Sequence, residues 1–206
     1  MSSLFNINSF KQVVSGVQRS SLFTVEFDKT TSGTLVPSFF NSDKVKFVIS
    51  SASVPASTVS QIQVSYMGRK MNYPGDRTES GQWNTTLILN NQWNIYAALL
   101  RWSVAINHPT DNVAESTDAS QLFANATVKL YTATGEENAA FTLYDVFPMT
   151  VPELPLNWEQ STALNVQVSW SYNYWLPVRL GDTKFSNGAT GDALRNGLTS
   201  AAGTWS

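Results

Sequence analysis

The segment that most restricts how this chain can fold lies between residues 165 and 175. Val166, Val168, Trp170, Tyr172 and Tyr174 fall on one side, and Gln167, Ser169, Ser171 and Asn173 on the other. A period of two is that of a half-buried β-strand, since a helix would spread these residues around its circumference. Read as one strand at ~3.3 Å per residue, the segment would reach roughly 36 Å.

Shorter runs with the same period precede it. Phe23, Val25 and Phe27 alternate with Thr24 and Glu26, and Val45, Phe47 and Ile49 resume the pattern until Pro55. Ile62, Val64 and Tyr66 lead to Gly68 and a return through residues 69–73, which predicts a β-hairpin. Pro74, Gly75 and Asp76 then predict a turn. Residues 82–89 predict a further strand, and 126–132 with 139–146 a second hairpin around Gly135. Pro148, Pro152 and Pro155 argue against a central strand over 148–158.

One stretch reads differently. Asn90 or Asn91 offers an N-cap, and Ile95, Tyr96, Leu99, Leu100, Trp102, Val104 and Ile106 give a broad apolar helix face that Pro109 stops. Residues 108–120 are polar and loop-like.

The ends are less regular. Leu4, Phe5, Ile7, Phe10, Val13, Val14 and Val17 follow neither period, so the N-terminal arm either tucks onto its own domain or docks on a neighbour. Residues 176–206 are rich in Gly, Ala, Ser, Asn and Thr, with a short helix over 192–198 as an option. Their large apolar side chains are too few for a core, so the segment is expected to dock on a neighbour through Phe185 and Trp205. The expected organisation is an arm over 1–20, a β domain over 21–175 and an extension over 176–206.

Composition narrows the function. A chain of 206 residues suits one domain. Charged residues are 14% of it, against a usual ~25%, and aromatics 12%. Such a balance suits surfaces that another chain covers, or an aromatic-rich β core. A net charge of −2 gives no basic excess, so stable nucleic-acid binding is not expected. Without cysteine there are no disulfides or thiol chemistry, and no apolar run approaches the ~18 residues of a membrane span. No leader peptide is visible.

Catalytic constellations are hard to assemble from these residues. His108 is the single histidine and sits in the polar loop, which leaves triads and zinc sites short of parts. The glycines fit no phosphate-binding loop. Asp111, Glu115 and Asp118 lack the spacing of a calcium loop. A carboxylate pair across a cleft, with tryptophans as sugar platforms, keeps a carbohydrate-active β-sandwich open as an alternative. Arg69, Lys70 and Arg77 form a basic cluster about the first hairpin, either solvated or carried on a protruding tip.

Several segments in order resemble the tail tube protein of contractile-tailed bacteriophages. They are S-A-S-V-P at 51–55, Ile62-Gln63-Val64, Y-M-G-R-K-M-N-Y-P-G-D-R-T at 66–78, Trp83, Trp102, F-P-M-T-V-P-E-L-P-L-N-W at 147–158, and Y-N-Y-W at 172–175. The resemblance implies a mainly β fold of two packed antiparallel sheets with one flanking helix. It further implies hexameric rings whose strands close a wide inner barrel, stacked into a tube within a contractile sheath and joined to a baseplate. DNA would pass through without stable binding, and no cofactor or catalysis is implied. The protein would sit in the virion tail and assemble in the host cytoplasm. By position, Gly68, Arg69, Lys70, Gly75, Asp76 and Arg77 correspond to the contact between rings and subunits. Tyr66, Trp83, Trp102, Trp158, Tyr174 and Trp175 are the shared aromatics, and Gln167, Ser169 and Ser171 are candidates to line the lumen. A tube-initiating baseplate component, or the tube of a related injection or type VI secretion system, would resemble the same pattern. The segment after Trp175 is longer than the compact form of the family.

Overall fold

A computed structural model describes residues 7, 10–11, 16–28, 33–79, 81–159, 162–181 and 183–185. Leu4, Phe5, Val13, Val14 and Trp205, and the helix option over 192–198, lie outside the described residues.

The strands are β1 (Phe23–Phe27), β2 (Ile49–Ala52), β3 (Thr58–Tyr66), β4 (Arg69–Thr78), β5 (Gln82–Ile88), β6 (Ala124–Tyr131), β7 (Glu137–Thr150), β8 (Asn165–Ser171), β9 (Tyr174–Leu180) and β10 (Thr183–Lys184). Between the described strands lie two α-helices, the single turn α1 (Val45–Val48) and the main helix α2 (Asn94–Ile106). A hydrogen-bonded path runs β1-β6-β7-β8-β5-β2, with β9 on β7 and β10 on β9. All pairings among the described residues are antiparallel.

β7 turns this path into two layers. Its body pairs with β6 and β9, and residues 147–150 pair with β8. Between these parts Asp145 takes a φ of 56°. Its N–H donates to Asn125 Oδ1 at 3.2 Å, and Asn173 Nδ2 donates to its Oδ2 at 2.8 Å. A left-handed residue in a strand bends the ladder, as bulges do at sheet corners. The layers then face each other across an aromatic core. Phe27 of β1 lies 5.4 Å from Trp170 of β8, and Phe40 lies 5.2 Å from Trp102 of α2. Trp102 Nε1 donates to the Leu122 carbonyl at 2.7 Å and Trp170 Nε1 to Thr85 Oγ1 at 2.8 Å, so both rings are buried with their polar atoms satisfied.

Several expectations need correction. The alternation over 165–175 is two strands, because Tyr172 and Asn173 break the ladder and β9 joins β7 at a different place from β8. A period of two continues through such a bend, which is why the pattern reads as one strand. Val45 starts a helical turn that buries Val45 and leaves Phe47 exposed. Pro74, Gly75 and Asp76 lie within β4 opposite a register irregularity in β3, and do not turn the chain. Pro148 is in β7, where the β6 and β9 pairings have already ended, so its missing N–H costs no ladder bond on that side. β9 continues past Trp175 to Leu180, and Phe185 is buried on its own chain with its N–H donating to the Val178 carbonyl at 2.7 Å. Phe185 is therefore no anchor for a neighbour.

Helix α2 begins later than its cap residues suggest. Asn90 Oδ1 still accepts from the Asn94 N–H at 3.2 Å, while Trp93 takes the left-handed position between them. Ile95, Ala98, Leu99, Trp102 and Ala105 form its buried face, and Leu100 and Val104 stay exposed. The apolar face is narrower than the sequence implies.

Candidate functional site

The hairpin β3–β4 stands apart from both layers. Among the described residues the two strands pair only with each other, and every residue of β3 is exposed. Met67 and Gly68 turn the chain with φ of 46° and 79°. Positive φ at both central residues belongs to the tight turn whose twist matches the strands, and glycine is at home there.

Directly paired residues share a face, so register sorts the ribbon into two sides. Ile62 with Tyr73, Val64 with Met71, and Tyr66 with Arg69 make an apolar side ending in a cation. Gln61 with Pro74, Gln63 with Asn72, and Ser65 with Lys70 make a polar side, where Gln63 Nε2 donates to Asn72 Oδ1 at 3.3 Å. Gly75 sits where the strands cross closely, and a Cβ there would come within 2.6 Å of Ser60 Oγ. An isolated two-stranded ribbon is marginal in water. Here the apolar side, with Ile62, Val64, Tyr66, Met71 and Tyr73, is exposed.

Tryptophans fix its root. Trp83 Nε1 donates to the Ser53 carbonyl at 2.8 Å, and Trp175 Nε1 to the Ala56 carbonyl at 3.2 Å. The Arg77 guanidinium lies 5.7 Å from the centre of the Trp175 ring, and its Nε donates to Glu79 Oε1 at 2.7 Å. The sequence-derived contact residues thus separate. Gly68, Arg69 and Lys70 are at the tip, with Arg69 and Lys70 on opposite sides. Gly75 and Asp76 lie along the ribbon, and Arg77 turns back to the root. The shared aromatics separate too: Tyr66 is on the exposed ribbon, Trp83 and Trp102 are core, Trp158 is fully exposed, and Tyr174 stacks on Tyr144 at 4.6 Å.

Gln167, Ser169 and Ser171 lie on the outer face of the β7-β8-β5-β2 layer. Opposite them in register are Thr86, Asn84 and Gln82 of β5, which the sequence reading missed although they alternate with Trp83, Thr85 and Leu87. Ser169 Oγ donates to Asn84 Oδ1 at 2.6 Å, and Ser50 Oγ to the Thr86 carbonyl at 3.2 Å. These residues form an uncharged polar surface. The other layer differs, since Lys129 Nζ meets Glu26 Oε2 at 2.7 Å on its outer face. Burial alone would lower the Lys129 pKa, but the hydrogen bond and charge of Glu26 outweigh it and raise the ammonium above its ordinary 10.5.

Among the described residues no group of three or more His, Cys, Asp or Glu could hold a metal ion, and no helix is long and apolar enough to cross a membrane. A profile of phage tail tube proteins matches residues 18–177, most of the chain. The chain belongs to the phage tail tube protein family. This is a structural family, so the protein is not an enzyme and the carbohydrate-active alternative falls. The chain is similar to the tail tube protein gp19 of Enterobacteria phage T4, at 24% identity over 131 residues, 63% of this chain and 79% of that protein. Its fold is similar to a chain in the sheath–tube complex of the extracellular contractile injection system PVC in the extended state. That match has a TM-score of 0.54 at 13% identity and covers 84% of this chain and 98% of the other. A chain of the anti-feeding prophage baseplate gives a TM-score of 0.53 at 13% identity, over 80% and 96% of the two chains.

Proposed function

We propose that this protein builds the inner tube of a contractile phage tail, in hexameric rings that stack through the β3–β4 hairpin. The observation that carries this reading is the hairpin itself, a protruding ribbon whose apolar side (Ile62, Val64, Tyr66, Met71 and Tyr73) lacks cover in the single chain. Arg69 and Lys70 at its tip serve the contact between rings.

Ring closure uses open sheet edges. β2 ends one layer, and residues 147–150 of β7 end it on the other side. Unpaired strand edges recruit further strands, and a closed barrel leaves none. With the layer curved in this sense, Gln82, Asn84, Thr86, Gln167, Ser169 and Ser171 line the lumen. An uncharged lining suits the passage of DNA, because each phosphate neutralised by a basic residue would add a counterion-release gain and hold the genome. Tail sheath and baseplate proteins are the partners outside and at the end of the tube. The protein assembles in the host cytoplasm and ends in the virion tail.

Electron microscopy of the purified chain in EDTA tests this, with rings or tubes expected. Monodisperse particles at all micromolar concentrations would overturn it. Arg69→Glu with Lys70→Glu is expected to leave rings intact and abolish stacking, since a small loss per exposed charge recurs at every junction of the ring. Tubes of wild-type length from that variant would remove the hairpin from the contact.

The fold similarity to an anti-feeding prophage baseplate chain supports a second reading, a tube-initiating position. Single rings that nucleate another tube protein, without growing themselves, would favour it.

A further inference from the structure

A second pair of surfaces fits together in a way the hairpin does not explain. The first is an open cleft of about 770 Å³ between the loop before α1 and the exposed flank of α2. Phe39, Ala97 and Ala98 supply apolar wall, and Lys44, Arg101 and Glu115 its charges. Its volume lies within the ~300–1,000 Å³ of clefts that hold a specific occupant. Lys44 and Arg101 have no carboxylate partner among the described residues.

The second surface is the segment after β7. Val151 and Leu154 pack on the core of their own chain, whereas Leu156 and Trp158 project into solvent. The segment contains Glu153 and Glu159, and residues 151–159 contain no lysine or arginine. Pro152 and Pro155 fix the backbone φ at two of its positions, so less conformational freedom is lost on docking. Trp158 is the largest side chain left wholly exposed among the described residues, and buried tryptophans dominate the energetics of many interfaces. None of the residues 151–159 lines the cleft of its own chain.

We infer that the Glu153–Trp158–Glu159 segment of one copy docks in the Phe39–Ala97–Arg101 cleft of a second copy, with Leu156 and Trp158 as apolar anchors and Glu153 and Glu159 facing Lys44 and Arg101. The occupant is a second copy because the charges complement: two cations against one carboxylate in the cleft, and carboxylates without a cation on the segment. The inference rests on the tube reading and adds a contact separate from both the hairpin and the sheet edges.

Charge exchange between copies tests it. One full-length variant carries Lys44→Glu and Arg101→Glu, and the other Glu153→Lys and Glu159→Lys. Each alone should need at least tenfold more protein to form rings, read by sedimentation velocity and micrographs. An equimolar mixture should recover wild-type assembly, because alternating copies restore both charge pairings. All four positions are exposed, and circular dichroism should show both variants folded. Normal assembly by either variant alone, or a mixture no better than its components, would overturn the docking while leaving the tube reading intact. Wild-type protein without rings would instead remove the tube reading itself. Trp158→Ala should also raise the assembly threshold at least tenfold, and an unchanged threshold would exclude it as an anchor.

Discussion

The aromatic core and the β3–β4 hairpin use similar residues to opposite ends. Phe27, Phe40, Trp102 and Trp170 meet within 5.2–6.3 Å, and both indole N–H groups in this cluster have acceptors. On the hairpin, Ile62, Val64, Tyr66, Met71 and Tyr73 line one side with no layer beneath them. Apolar area stabilises only when water leaves it. The core therefore holds the single chain together, and the exposed apolar side of the hairpin adds little to it. On the proposed reading, folding and assembly are carried by different side chains and can be damaged separately.

The largest expected effect is on the core side. Trp170→Ala should cost about 3–5 kcal/mol, because it opens a large cavity and removes the donor to buried Thr85. Denaturant unfolding measures this, and a loss below about 1 kcal/mol would mean the core closes around the gap. Trp175→Phe, at the boundary between the regions, keeps a ring beneath Arg77 and removes the hydrogen bond to Ala56. A cost of about 1 kcal/mol is expected, with faster amide exchange along β4. Unchanged exchange would show that Trp175 does not hold the root.

Lys129→Met should cost about 0.5 kcal/mol at neutral pH, since the Glu26 pair is partly exposed and screened. The raised pKa means this stability is fully present below the ordinary value of 10.5 and is lost as pH rises through the folded value. Variant and wild type should thus converge in alkaline denaturant titrations, and a gap that widens there would contradict the pairing. Smallest of all is the stability effect of Ile62→Ser with Tyr73→Ser, expected within about 0.5 kcal/mol of wild type. Assembly should nevertheless fail, and a variant that is both stable and tube-forming would erase the distinction between the regions.

The hairpin was legible because its signals are local. Ile62, Val64 and Tyr66 alternate, and Gly68 marks the reversal. The core strands were legible as strands, and so was the local β6–β7 hairpin around Gly135, but not the pairings between strands distant in sequence. Nothing within 165–175 says that β8 joins β5 while β9 joins β7, because pairing is decided by residues far away in sequence. Tryptophans show the same limit. Trp102 and Trp158 look alike in sequence, yet one is sealed beneath Leu122 and the other wholly exposed. The polar face was half visible, in Gln167, Ser169 and Ser171. Its other half, on β5, follows from the register.

The corner at Asp145 has a mechanical meaning. Because β7 runs unbroken from one layer into the other, a pull on one layer reaches the other through covalent bonds as well as through side-chain packing. Two layers joined by packing alone can slip past each other under shear. Here the shared strand acts as a tie rod, pinned at its bend by Asn125 and Asn173. A subunit tied in this way can carry a load from one layer to the other without the two sliding apart.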